Sequence, residues 1–288
     1  MKFSKLWLLP FLAPYTIGLC LFVLGPMFFS LYLSGTKWSL FGQASWIGLQ
    51  NFDNMIQDDI FWLALRNTAY YALMLVPGEL LCALLLALLL NTGLRAIGFF
   101  RAVYFTPYVM SLVSVGLVWA WFLTPNFGLL SQILQALHLP APAFLQTRDL
   151  AMPAVAATSV WRNTGYYTVL LLAGLQSVPR EMEEAASVDG ASGLARFRYI
   201  TLPFLSPTLF VALVIATIWA AQVFDLTYIM TLGGPENATL TIVQYIYNSA
   251  FANGKMGYAS AMSWALLLIM LALTVLYFFS QRWWVHYE

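Results

Sequence analysis

Three ionisable residues stand where charge is costly: Glu79, Arg162 and Asp225 each lie inside a long apolar stretch. A charge carried into hydrocarbon loses its hydration, so it persists only beside a partner, water or a ligand. Arg162 has the most informative surroundings. Ser159, Arg162, Asn163 and Tyr166 recur at intervals of 3, 1 and 3 residues, which on a helix places four polar groups along one stripe. Leu170, Leu171 and Leu172 continue the apolar background, so the stripe is expected to face protein or water, not lipid. Gln222 and Asp225 are expected on one face of the fifth stretch with Trp219 nearby, and Tyr108 and Ser111 follow Pro107 in the third. Amide, guanidinium, carboxylate and hydroxyl groups set among aromatic faces can hold a polyhydroxylated ring. A competing reading pairs Arg162 with Asp225 as a contact that merely joins helices. Glu79 follows Pro77-Gly78, where a disturbed helix frees backbone groups to bond it, so a structural role is expected there.

Other chemistry is missing from the chain. A P-loop needs Gly-Lys followed by Ser or Thr to cradle phosphates, yet Lys2, Lys5, Lys37 and Lys255 precede Phe, Leu, Trp and Met. Neither an HExxH metal site nor a GxSxG nucleophile elbow occurs, and His138 and His286 fall outside the apolar stretches. An enzyme is therefore not expected, and no cofactor of its own. The net charge of +1 gives no reason to expect a nucleic-acid partner. Cys20 and Cys82 read as small buried hydrophobes rather than a disulfide framework.

The elements that must position these groups follow from composition. Apolar types make up 61% of the chain and charged types 9%, against roughly 25% charged in an average soluble domain. Such a chain cannot cover a globule with polar surface, so membrane lipid is its natural solvent. A bilayer core takes about 20 apolar residues per helix. Six stretches meet that need, near 6–34, 64–90, 102–123, 151–175, 203–231 and 257–280, giving a single all-α transmembrane domain over residues 1–288. The first run is too long for the core of a signal peptide and reads as an uncleaved span. With the N-terminus inside, Lys2, Lys5, Arg95, Arg101, Arg180, Arg196, Arg198 and Arg282 fall on the cytoplasmic side. Lys37, Arg66, Arg148 and Lys255 fall outside. That excess predicts cytoplasmic termini and a cytoplasmic segment 176–202. Trp283 and Trp284 beside Arg282 suit an interfacial anchor.

Segment 176–202 has its own logic. Ser177 and Pro179 suit the start of a short helix, and Glu181, Glu183 and Glu184 sit near its positive end. Ala185 and Ala186 favour helix without bulk, and Gly190 permits the reversal that ends it. Phe197, Ile200 and Leu202 offer an apolar contact set before Pro203 opens the next span.

The order Glu184-Ala185-Ala186, Asp189-Gly190 and Ile200-x-Leu202-Pro203 resembles the EAA loop of ABC-importer membrane subunits. Gly48-Leu49-x-Asn51-Phe52, Asn67-Thr68, Pro125-x-x-Gly128-Leu129-Leu130, Phe224-Asp225, Gly233-Gly234-Pro235 and Gly257-Tyr258-Ala259-Ser260-Ala261 follow the same family's order. Together they resemble carbohydrate-uptake permeases, specifically the first permease subunit of maltose and glycerol-3-phosphate type systems. The large extracytoplasmic insertion of the maltose subunit is absent.

The resemblance implies a type I importer permease of the bacterial inner membrane, with six spans. Implied partners are a second, similar permease (expected as a heterodimer), two ATPase subunits that bind ATP and magnesium, and an extracytoplasmic solute-binding protein. It implies that Glu184, Ala185, Ala186, Asp189 and Gly190 couple to the ATPase. It also places the sugar path at Tyr108, Ser159, Arg162, Asn163, Tyr166 and Trp219; Gln222 and Asp225 join that set from their own placement. Two alternatives stay open: an anionic sugar derivative as solute, suggested by Arg162, and a proton-coupled secondary transporter using Glu79 or Asp225.

Overall fold

The computed structural model describes residues 8–39, 42–91 and 97–286. Lys2, Lys5 and Arg95, weighed above for orientation, lie outside the described residues. Helices α1 (Leu8–Leu19) and α2 (Gly25–Ser34) are joined by a π-helical turn, Cys20–Leu24. A short antiparallel ribbon follows, β1 (Thr36–Lys37) with β2 (Ser45–Trp46), pairing Thr36 with Trp46 and Lys37 with Ser45. Next come α3 (Gln50–Ile56), α4 (Asp59–Leu90), α5 (Ile97–Val109), α6 (Leu112–Phe122) and α7 (Leu129–Ala136). Then follow α8 (Arg148–Leu175), α9 (Arg180–Val188), α10 (Gly193–Arg196) and α11 (Leu202–Ala221). The chain finishes through α12 (Asp225–Thr231), α13 (Ile242–Tyr247) and α14 (Met256–Ser280). Helices close their backbone hydrogen bonds within the segment, which hydrocarbon demands.

Length and apolarity qualify Phe11–Ser34, Asp59–Leu90, Gly193–Ala221 and Met256–Trp283 as membrane spans. A fifth is the pair Gly98–Val109 and Leu112–Phe122, bent by 94°. Ser111 stands at that bend in extended geometry, one turn after Pro107. Helix α8 is long enough at 28 residues but too polar to qualify by apolarity. Its polarity is hidden among its neighbours, since 14 of those residues are buried. Apolarity thus supports four or five spans, and six requires α8 as well. The fifth expected span, 203–231, is not continuous: α11 stops at Ala221, and α12 starts afresh at Asp225.

The chain divides into two compact units, Met1–Trp62 with Tyr245–Leu268, and Leu63–Gln244 with Ile269–Glu288. In the first, α1 and α2 are almost wholly exposed, as suits lipid or another subunit. Cys20 there, like Cys82 on α4 in the second unit, is exposed and free rather than buried as expected. Both lie on helix faces left open by the described residues.

The second unit holds the main core. Ala83 and Ala87 of α4 and Ala212, Ala216 and Ala220 of α11 are fully buried, spaced by one helical turn. Small residues at that spacing let helix backbones approach closely where no hydrophobic drive joins them. Gly165 is a sharper case. A Cβ there would collide with the Tyr104 carbonyl oxygen, so only glycine lets α8 press against α5. Asn67, near the start of α4, donates from Nδ2 to the carbonyls of Asn237 (2.8 Å) and Leu240 (3.0 Å). The Ile242 amide donates to Thr68 Oγ1 at 2.9 Å. Arg148, at the start of α8, pairs with Glu236 across 3.4 Å. The starts of α4 and α8 therefore meet the segment that follows α12, as alternating spans require. At the chain's end Trp284 packs edge-on against Phe210 and the His286 amide donates to Ser206 Oγ at 2.9 Å. Only Trp283 of the expected aromatic anchor points outward, at 89% exposure.

Candidate functional site

The stripe on α8 exists, but its members divide between two tasks. Ser159, 1% exposed, accepts from the Tyr71 hydroxyl at 2.7 Å and donates to the Val155 carbonyl at 3.0 Å. Asn163 donates from Nδ2 to Glu79 Oε2 at 3.1 Å and accepts from Arg162 Nη1 at 3.1 Å. The amide thus bridges a carboxyl group on α4 and the guanidinium on its own helix. Glu79 is 1% exposed, so the expectation of a structural role there fits its enclosure. Ser159 and Asn163 thus each contribute one hydrogen bond that holds α8 to α4.

Arg162 and Tyr166 turn elsewhere. Arg162 donates from Nη2 to the Tyr108 carbonyl at 2.9 Å, and its guanidinium carbon lies 5.1 Å from the centre of the Tyr108 ring. Its Nε is enclosed and has no hydrogen-bond partner among the described residues. A buried donor left unpaired costs about 1–3 kcal/mol, so a ligand oxygen reaching it would recover that cost. Tyr108 stacks on Tyr166 with ring centres 4.9 Å apart, and Trp219 closes the group 5.2 Å from Tyr166. The result is a half-buried aromatic floor beside a cation. Such a surface offers π-faces to the apolar side of a sugar ring and a guanidinium edge to its oxygens.

Gln222 and Asp225 do not share a helical face. Gln222 ends α11 and Asp225 opens α12, and both side chains are exposed at the break. Among the described residues Arg162 forms no ion pair with Asp225; Arg148 with Glu236 is the single pair. The expected pairing of Arg162 with Asp225 is therefore not formed: Asn163 and the Tyr108 carbonyl take the guanidinium instead, and the second of these bonds joins α8 to α5. Tyr71 and Tyr167 were missed. Tyr71 is an ordinary aromatic within an apolar run, and only its partner Ser159 shows its role. Tyr167 packs 5.1 Å from Tyr166 and 6.3 Å from Trp219.

A second candidate element is the elbow between α8 and α11. Pro179 stands at the N-cap position of α9 without a side-chain cap bond, while Ser177 donates back to the Gly174 carbonyl at 2.7 Å and so closes α8 rather than starting α9. Glu181 and Glu183 occupy the first turn of α9, where the helix dipole favours carboxylates. The helix ends at Asp189, and Gly190 takes φ of +79°, a left-handed conformation that suits glycine. The Ser192 side chain then accepts from the Ala195 amide at 3.3 Å and caps α10. Glu184, Ala185, Asp189 and Gly190 are exposed, as are Val188 at 88% and Leu194 at 77%. One contact ties the elbow down: Thr201 Oγ1 donates to Glu183 Oε1 at 3.4 Å. The elbow is an exposed helix–turn–helix with bare apolar residues on it, a surface of the kind that marks an interaction site.

Residues 6–286 match the family model described as "Binding-protein-dependent transport system inner membrane component". The sulfoquinovosyl glycerol transport system permease protein SmoG of Agrobacterium fabrum is 35% identical over 268 residues, 92% of this chain and 87% of that one. The sn-glycerol-3-phosphate transport system permease protein UgpA of the same organism is 34% identical, covering 97% of each. The trehalose/maltose transport system permease protein MalF of Thermococcus litoralis is 34% identical, covering 96% and 92%. The fold is similar to that of a bacterial alginate ABC transporter solved in complex with alginate pentasaccharide-bound periplasmic protein. That match has a TM-score of 0.86 and 23% identity over 96% of this chain and 94% of that chain.

Proposed function

The chain belongs to the family of binding-protein-dependent transport system inner membrane components, and from that premise we propose that it forms half of the path of an ATP-driven importer of sugars or oligosaccharides. The named solutes of the relatives above (trehalose and maltose, sn-glycerol-3-phosphate, sulfoquinovosyl glycerol) support that solute class. A second, similar permease forms the other half. Two ATPase subunits bind ATP and magnesium, and a solute-binding protein delivers cargo from outside. Both termini and the α9–α10 elbow lie in the cytoplasm, in keeping with the lysine and arginine distribution.

The observation that carries this reading is the elbow itself: exposed, capped, and continuous with α8 and α11 on either side. Closure of the ATPase pair moves α9 through Glu184, Ala185, Ala186, Asp189 and Gly190. The two attached helices transmit that motion to the aromatic floor of Tyr108, Tyr166 and Trp219, beside Arg162. The test is Glu184→Lys in the complete complex in proteoliposomes. Uptake is expected to fall at least about tenfold, with the ATPase less firmly held. Unchanged uptake with an intact assembly would favour a proton-coupled transporter, which has no use for such a lever.

A second reading of the solute has one observation behind it. The enclosed, unpartnered Nε of Arg162 favours an acidic sugar, such as a phosphate ester or uronate, over a neutral one.

A further inference from the structure

Glu79 is enclosed at 1% exposure, and among the described residues it forms no ion pair. Its Oε2 instead accepts from the Asn163 amide at 3.1 Å. The approach is prepared one residue earlier. A Cβ at Gly78 would stand 2.9 Å from Val160 Cγ2, so glycine there brings α4 close enough to α8 for Glu79 to reach across. An apolar side chain would join the two helices without the loss of hydration that an enclosed carboxyl group suffers. Fastening alone does not account for an acid at this position.

The chemistry beyond Asn163 supplies a reason. Adjacent residues on a helix point about 100° apart and do not face one another, yet Asn163 Oδ1 meets Arg162 Nη1 at 3.1 Å. The amide must therefore be steered toward the guanidinium from outside its own helix. Its two partners dictate its orientation. Arg162 can only donate, so it requires Oδ1; Nδ2 is left to donate, and Glu79 takes it. With Nη1 held this way and Nη2 bonded to the Tyr108 carbonyl at 2.9 Å, the guanidinium is fixed at two points. A planar fork pinned at both terminal nitrogens cannot turn, and Nε is the donor it leaves without an internal partner among the described residues. A long side chain ordered before its ligand arrives loses less freedom on binding it.

We propose that Glu79 is a positioning residue for solute recognition: through Asn163 it braces Arg162 in the pose that keeps Nε for a solute oxygen. The inference rests on the reading of Arg162 as part of the solute path. Its test is the rate at which phenylglyoxal, a dicarbonyl that bonds both terminal nitrogens of an arginine, modifies Arg162 in the complete reconstituted complex, followed by mass spectrometry. Glu79→Met removes the acceptor while keeping the bulk, and the rate should rise about fivefold, as one modest hydrogen bond is released. Glu79→Gln can still accept from Asn163 and should keep the slow rate of the unaltered complex. Ser159→Ala removes the neighbouring bond between α8 and α4 but leaves the relay intact, and should also stay slow. Asn163→Leu cuts the relay at its middle and should match Glu79→Met, which keeps the test decisive if that variant does not assemble. An unchanged rate in Glu79→Met or Asn163→Leu overturns the proposal. So does equal acceleration by Ser159→Ala or Glu79→Gln, which would mark a general loosening of the helices. Uptake that survives Arg162→Gln would instead sink the solute-path reading, and the brace would lose its purpose with it.

Discussion

The two halves of the α8 stripe look alike in sequence and behave differently in the fold. Ser159 and Asn163 each hydrogen-bond α4, at Tyr71 and Glu79, and each also bonds a neighbour on α8. Arg162 and Tyr166 meet Tyr108 and Trp219, and an enclosed guanidinium nitrogen remains unpaired. Both halves are polar in an apolar setting, so polarity alone does not mark a solute path. Saturation does. A group whose partners are all internal fixes helices, whereas one left short of partners beside open aromatic faces can take a ligand.

That contrast can be broken on its saturated side first. Glu79→Ala removes the acceptor of Asn163 and leaves a void, at a cost of about 3 kcal/mol. Thermal unfolding of the purified complex should show the loss, and an unchanged midpoint would contradict the bridging role. The open side should respond in function more than in stability. Arg162→Gln is expected to lower uptake at least about tenfold while destabilising less than Glu79→Ala, because only two of its donors are engaged in the fold. Equal losses of stability would make Arg162 another fastener.

Smaller effects sharpen the division. A double-mutant cycle of Tyr71→Phe with Ser159→Ala should give a coupling of about 1 kcal/mol, read by thermal unfolding, with uptake retained. The same cycle on Arg162→Gln with Asp225→Asn should give a coupling within about 0.5 kcal/mol, since the two groups form no ion pair. A large value there would restore the helix-joining reading.

Long apolar runs announce their helices, and α4 and α14 lie close to where composition puts them, because hydrocarbon leaves the backbone few alternatives. The break at Gln222–Phe224 carries no glycine or proline, so nothing in Gln-Val-Phe-Asp warns that α11 ends at Ala221. The bend after Pro107 had a visible cause, but its 94° angle depends on how α5 and α6 pack. At the candidate site, spacing found the stripe but not its division. Which of Ser159, Arg162, Asn163 and Tyr166 is spent depends on Tyr71 and Glu79, some 80 residues earlier in the chain. Glu79 was visible as a charge; its partner was not. The elbow was the most legible part, since a short helix and a left-handed glycine are local events, although Ser177 closes α8 where a start of α9 was expected.

Thiol accessibility along α8 tests the division most directly. With Cys20 and Cys82 replaced by serine, Tyr166→Cys and Ser159→Cys are introduced separately, and the assembled complex is treated with a charged, water-soluble maleimide. Labelling at position 166 with none at position 159 is the predicted result. Equal labelling at both, or labelling at 159 alone, would contradict the assignment of the path to the Arg162 side of the stripe.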